Sequence, residues 1–214
     1  GSFHPRRRKG ISGMKTLPQP IYPVVDSVQW VKRLGQAGAR FIQLRVKDRP
    51  EAELLAEIRS ARAIAEDLGV CLVLNDYWQI ALDEGISYIH LGQEDLDTAD
   101  LAAIQRGGLK LGVSTHCPEE LDRALSFAPD YVALGPIWET KLKKMAFGPQ
   151  GTDKLTVWKK QVGETPVVAI GGITLERVRP CLDAGADCVS AVSAFTGHAD
   201  PEGQVRAWLA AAGC

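Results

Sequence analysis

Eight short apolar runs, evenly spaced and separated by helix-patterned segments, constrain this chain more than any other feature. Four of them are residues 21–25, 70–74, 109–113 and 166–170. The other four sit inside a weak repeat at 37–45, 84–92, 127–135 and 184–192. In that repeat small or acidic residues close a helix, a turn follows, and a short strand begins. The intervening segments have a helical period. Between Glu51 and Leu68 the apolar residues Leu54, Leu55, Ile58, Ala61, Ile64 and Ala65 fall on one face, and Gly69 supplies a stop. Pro118-Glu119-Glu120 opens another helix with a proline and acids suited to its positive end. A third begins after Thr174 and ends by Gly185. Strands alternating with helices specify a parallel sheet. Eight such units in one unbroken alternation predict a closed (β/α)₈ TIM barrel, an α/β fold in a single domain.

Composition narrows the function. Twenty-five Lys plus Arg against 26 Asp plus Glu leave a formal net charge of −1, which argues against a nucleic-acid or membrane partner. No apolar run approaches the ~20 residues that span a bilayer. The five cysteines form no C-x-x-C pair and have no metal-type spacing, so they read as reduced thiols of a cytoplasmic protein. Gly1-Ser2 reads as a tag remnant. Residues 1–18, with the basic run from His4 to Lys9, are expected to form a flexible arm, and 19–214 the barrel domain. The sequence leaves the oligomeric state open, a homodimer included.

A barrel gives function an address, because active sites lie at the C-terminal ends of the strands. Gln43, Arg45 and Lys47 follow one another at i, i+2 spacing around the end of strand two. Arg and Lys together suit phosphate oxygens. Asn75 and Asp76 follow strand three, and Gln93, Glu94 and Asp95 follow strand four. Carboxylates from adjacent strand ends can converge on Mg²⁺, which completes its shell with water and phosphate oxygens. Capping of a helix is the equally weighted reading for either Asp. Ser114, Thr115 and His116 follow strand five. The longest loop, 136–152, carries Thr140, Lys141, Lys143 and Lys144 and reads as a lid over an anion. Gly171-Gly172 after strand seven and Val192-Ser193 after strand eight offer backbone N–H groups to a phosphate. Together these features describe a metal-bound pyrophosphate site and a monophosphate site in one mouth.

The ordered set of segments around Gln43-Leu44-Arg45-Val46-Lys47, Leu74-Asn75-Asp76, His90 to Asp95, Gly112 to His116, Gly135-Pro136-Ile137, Ala169 to Ile173 and Val192-Ser193-Ala194 resembles the thiamin phosphate synthase family. The resemblance covers about residues 21–205. It implies transfer of a hydroxymethylpyrimidine from its diphosphate to a thiazole phosphate, with release of pyrophosphate and with Mg²⁺ as cofactor. By it, Gln43, Arg45, Lys47, Asn75, Ser114 and Lys143 hold the pyrimidine diphosphate, and Arg45, Lys47, Ser114 and Lys143 act in catalysis. Asp76 and Asp95 bind the metal, and Thr140, Gly172, Val192 and Ser193 hold the thiazole phosphate. The partners it implies are small phosphorylated substrates. One departure stands out: Glu139 and Leu142 occupy loop positions where the family commonly has proline and threonine. Two other readings come from the same residues. One is a thiazole tautomerase on the same fold, with His116 as its catalytic group; the other is a non-catalytic phosphate-ligand sensor.

Overall fold

The computed structural model describes residues 15–139 and 148–214. In chain order the elements are β1 (Ile21–Val25), α1 (Val28–Gln36), β2 (Phe41–Leu44), α2 (Glu51–Leu68), β3 (Cys71–Asn75), α3 (Trp78–Glu84) and β4 (Tyr88–Leu91). There follow α4 (Gln93–Thr98), α5 (Leu101–Arg106), β5 (Lys110–Thr115), α6 (Pro118–Leu125), β6 (Tyr131–Leu134) and α7 (Thr152–Val162). The last are β7 (Val167–Ile170), α8 (Leu175–Asp183), β8 (Cys188–Ala191), α9 (Ser193–Thr196) and α10 (Pro201–Ala211). Each strand pairs in parallel with the next, and β8 pairs with β1, so the sheet closes into the expected eight-stranded barrel.

Local chemistry sets the helix ends. Ser27 caps α1 by accepting from the Trp30 N–H. The α2 segment runs from Glu51 to Leu68 as its period predicts, and Gly69 closes it at φ 70°, a left-handed turn that favours glycine. Pro118 occupies the first position of α6, with Glu119 and Glu120 in the first turn.

Two apolar clusters follow from the strand period of two. Outward residues such as Ile42, Leu74, Ile89, Val113 and Val132 pack under the helices. Inward residues Tyr22, Phe41, Val73, Tyr88, Tyr131, Ala133, Val168 and Cys188 fill the barrel. The inner aromatics interlock. Tyr22 stacks on Phe41 with centroids 3.9 Å apart and meets Tyr131 edge-on at 5.7 Å. One step nearer the C-terminal ends, the inward positions turn polar: Gln43, Asn75, His90 and Ser114. That change divides the interior into an apolar floor and a polar mouth.

Residues 15–18, read from the sequence as the end of the arm, lie against the base of the barrel. Leu17 packs on the inner cluster, and Lys15 donates to the carbonyls of Ala128 and Pro129. Residues 1–14 lie outside the described residues. All five cysteines are free thiols. Among the described residues no helix is long and apolar enough to cross a membrane.

Gly112 of β5 faces the Tyr131 ring so closely that a Cβ there would overlap the ring and its hydroxyl. Tyr131 is fully buried and cannot swing away. Gly112→Ala is therefore expected to destabilise the fold by about 1–3 kcal/mol. Denaturant unfolding should show a lower midpoint at unchanged slope, and an unchanged midpoint would contradict this packing.

Candidate active site at the barrel mouth

Six side chains from six strands form one hydrogen-bonded chain across the mouth. Asn75 Nδ2 donates to Gln43 Oε1 at 3.0 Å, and Gln43 Nε2 donates to the Tyr22 hydroxyl at 3.0 Å. The Tyr22 and Tyr131 hydroxyls are 2.8 Å apart. Tyr131 meets His90 Nδ1 at 2.6 Å, and His90 Nε2 meets Ser114 Oγ at 2.7 Å. All but Ser114 are buried.

Proton counting sets the direction of this chain. Tyr22 receives the Gln43 N–H, so its own proton goes to Tyr131. Tyr131 then has its proton left for His90 Nδ1. His90 is thereby the Nε2–H tautomer and donates to Ser114 Oγ. The reverse sense would strand the Tyr22 proton in the interior, at a cost of about 1–3 kcal/mol. Ser114, half-buried at the rim, keeps its own O–H to offer outward. His90 stays neutral because burial, and then the charges of Arg45 and Lys47, lower its pKa to about 4. Burial likewise pushes the Tyr22 and Tyr131 hydroxyls far up, so both remain protonated.

Arg45 and Lys47 are exposed beyond β2, on either side of buried Val46. Neither is in an ion pair among the described residues. Both follow the C-terminal end of β2, the end of the barrel that carries the mouth. Lys47 Nζ also lies 6.0 Å from the Tyr77 ring centroid.

Carboxylates gather at the same place. Burial raises the pKa of Tyr77, and the charges of Asp76, Asp48 and Asp95 raise it further. One phenol thus senses Asp76 from the β3 end and Asp95 from α4. Asp95 Oδ2 accepts from the Gly92 N–H at 2.9 Å, so the capping role weighed from sequence is real and occupies one of its oxygens. Among the described residues no group of three or more His, Cys, Asp or Glu side chains forms a ready metal cluster. Asp48, Asp76 and Tyr77 have φ of 58°, 61° and 46°, which non-glycine residues seldom adopt. Three strained positions side by side in one mouth match the tendency of functional sites to hold such backbone.

The second part of the mouth lies beyond β6, β7 and β8. Gly171 and Gly172 have φ of 100° and 68°. A Cβ on Gly171 would be 2.5 Å from Pro136 Cα, and one on Gly172 would be 2.6 Å from the Glu139 carbonyl oxygen. The glycines are required by packing against the segment after β6, a reason the sequence does not disclose. Val192 and Ser193, just after β8, are exposed. Thr140, Lys141, Leu142, Lys143 and Lys144 lie outside the described residues. Thr115, grouped with Ser114 in the sequence, is structural: it donates to the Ala133 carbonyl and accepts from the Trp158 indole. His116 Nδ1 lies 2.6 Å from Glu120 Oε1, one helical turn on.

Sequence reasoning missed Tyr22, His90 and Tyr131 as members of the site. Their signal was faint: polar atoms at alternate positions of otherwise apolar strands.

The family model for thiamine monophosphate synthase matches residues 19–195. A thiamine-phosphate synthase of Rhizobium etli is 55% identical over 192 residues, 90% of this chain and 94% of that protein. One from Cronobacter sakazakii is 47% identical over 90% of this chain and 92% of its own. Among solved structures, a thiamine phosphate pyrophosphorylase from Pyrococcus furiosus superposes with a TM-score of 0.79 at 25% identity, over 89% of this chain and 94% of that one. With the match spanning most of its barrel, the chain belongs to the thiamine monophosphate synthase family.

Proposed function

We propose that this chain makes thiamine phosphate by joining hydroxymethylpyrimidine diphosphate to thiazole phosphate and releasing pyrophosphate. Family membership and the relatives' names support the reaction. One observation carries the site: the connected chain from Asn75 to Ser114, beside two cations that are in no ion pair among the described residues.

In this reading Gln43 and Asn75 hold the pyrimidine diphosphate together with Arg45, Lys47, Ser114 and Lys143. The step is dissociative. The carbon–oxygen bond to the diphosphate breaks first, its electron pair leaves with the pyrophosphate, and the thiazole nitrogen captures the resulting pyrimidine methylene cation. The protein has little proton transfer to perform. It must meet negative charge growing on the leaving group with donors already in place. Arg45 and Lys47 bring fixed positive charge, and Ser114 brings an O–H whose direction the interior chain sets. Each hydrogen bond to a charged group contributes roughly 1.5–3 kcal/mol. The aromatic floor keeps water from beneath the reacting carbon, and the neutral His90 adds no positive charge there. Thr140, Gly172, Val192 and Ser193 hold the thiazole phosphate and so keep the nucleophile close.

The donors fit Mg²⁺. Asp76 and Asp95 are half-buried, both are sensed by Tyr77, and Asp95 has one oxygen outside the capping bond. Two carboxylates suffice where water and phosphate oxygens complete an octahedron. When bound, the ion neutralises charge on the diphosphate. Neither the tautomerase nor the sensor reading is favoured by relatives that carry the synthase name.

Two measurements test these roles. At φ 61°, asparagine is tolerated where alanine is strained. Asp76→Asn is thus expected to keep the fold and abolish Mg²⁺-dependent pyrophosphate release; wild-type turnover would remove Asp76 from the metal site. Ser114→Ala should lower kcat by about ten- to a hundredfold, in line with one lost bond to a charged group, and should cost about 1–3 kcal/mol of stability because the His90 Nε2–H loses its acceptor. A kcat within twofold of wild type would show that the Ser114 proton does not meet the leaving group.

A further inference from the structure

A side chain from α8 joins the turn after β7 to the segment after β6. The Arg177 guanidinium carbon lies 4.7 Å from the centroid of the Trp138 ring. Its Nη1 donates to the Gly172 carbonyl at 2.6 Å. These contacts use two different properties of arginine, a planar face that stacks and a directed N–H. Arg177 is in no ion pair among the described residues.

The consequence lies in the peptide planes. Trp138 N–H donates to the Gly171 carbonyl at 3.0 Å, which fixes the plane between Gly171 and Gly172. Arg177 fixes the next plane through the Gly172 carbonyl. In a trans peptide the N–H points opposite to the C=O. With both carbonyls drawn toward Trp138 and Arg177, the N–H groups of Gly172 and Ile173 turn the other way. Neither has an acceptor among the described residues. Successive N–H groups over positive-φ backbone form a concavity that suits an anion.

We propose that Arg177 is a positioning residue for the second substrate. By gripping the Gly172 carbonyl and the Trp138 ring, it holds the Gly172 and Ile173 N–H groups toward the thiazole phosphate. This rests on the reading of Gly172 as part of that phosphate subsite. Arg177 acts through the backbone and through Trp138, and nothing here requires it to touch the substrate.

Steady-state kinetics of Arg177→Met and Arg177→Lys, with each substrate varied in turn, provide the test. Arg177→Met should raise KM for thiazole phosphate roughly tenfold or more and leave KM for the pyrimidine diphosphate within twofold. Arg177→Lys keeps the charge but loses the planar face, so it should recover part of the loss. If the methionine variant does not fold, the lysine variant must show the same split at smaller size. Equal rises in both KM values, or no rise in either, overturn the proposal. Ser193→Ala, measured in parallel, separates the two levels of inference. A thiazole KM raised by Ser193→Ala but by neither Arg177 variant removes Arg177 and keeps the subsite. A thiazole KM moved by none of the three removes both.

Discussion

The mouth of this barrel depends on the hydrogen-bond chain that runs from Asn75 to Ser114. A closed barrel has no edge and no water-filled lumen at this size, so polar atoms that point inward must satisfy one another. Six strands each contribute one group, and the two hydroxyl protons and the His90 ring proton each have one place to go in the chain. The chain therefore ties the strand ends into one unit and fixes the outward direction of the last proton. Beneath it, the stacked Tyr22 and Phe41 and the edge-on Tyr131 leave no room for alternative rotamers. Fold and function share these atoms, because Tyr22 and Tyr131 belong to the apolar core through their rings and to the polar mouth through their hydroxyls.

Above that rigid layer the charges are unbalanced by arrangement. Among the described residues Arg45 and Lys47 are in no ion pair, and after burial their charges are the further cause that opposes protonation of His90. Asp76 and Asp95 act on Tyr77 a short distance away. Four charges of both signs in one mouth do not form direct ion pairs with one another, which separates them from a structural salt-bridge network. A diphosphate with its cation would meet both sets at once. The strained backbone at Asp48, Asp76 and Tyr77 fits this view: about 1–2 kcal/mol per left-handed residue is spent to hold those side chains where local preference would not put them.

The architecture was legible because it is written in periods. The segment from Glu51 to Leu68 reads as a helix on a 3.6-residue period, and Gly69 marks its end, because both signals are local. The strand ends were legible for the same reason, and with them Gln43, Asn75, Asp76 and Asp95. What escaped was any role set by contact across the barrel. Tyr22 and Tyr131 read as core from their neighbours, and they are 109 residues apart, so no local pattern could pair their hydroxyls. Asp95 was legible as two alternatives, cap or ligand; the structure makes it a cap through one oxygen and leaves the other uncommitted.

Gly171 and Gly172 carry this lesson furthest. Read from sequence, two glycines after strand seven suggest a phosphate brought close to bare backbone. The structure gives a different first cause: Pro136 and Glu139 occupy the space where side chains would stand. The two explanations meet in the direction of the peptide planes. Packing from one side demands glycine and captures the carbonyls, and the geometry of the peptide bond then turns the N–H groups to the other side. The anion site proposed at this turn would follow from how tightly the segment after β6 is seated on β7. On the proposed reading, Trp138 and Arg177 act on phosphate recognition through the backbone they hold, one step removed from the N–H groups themselves.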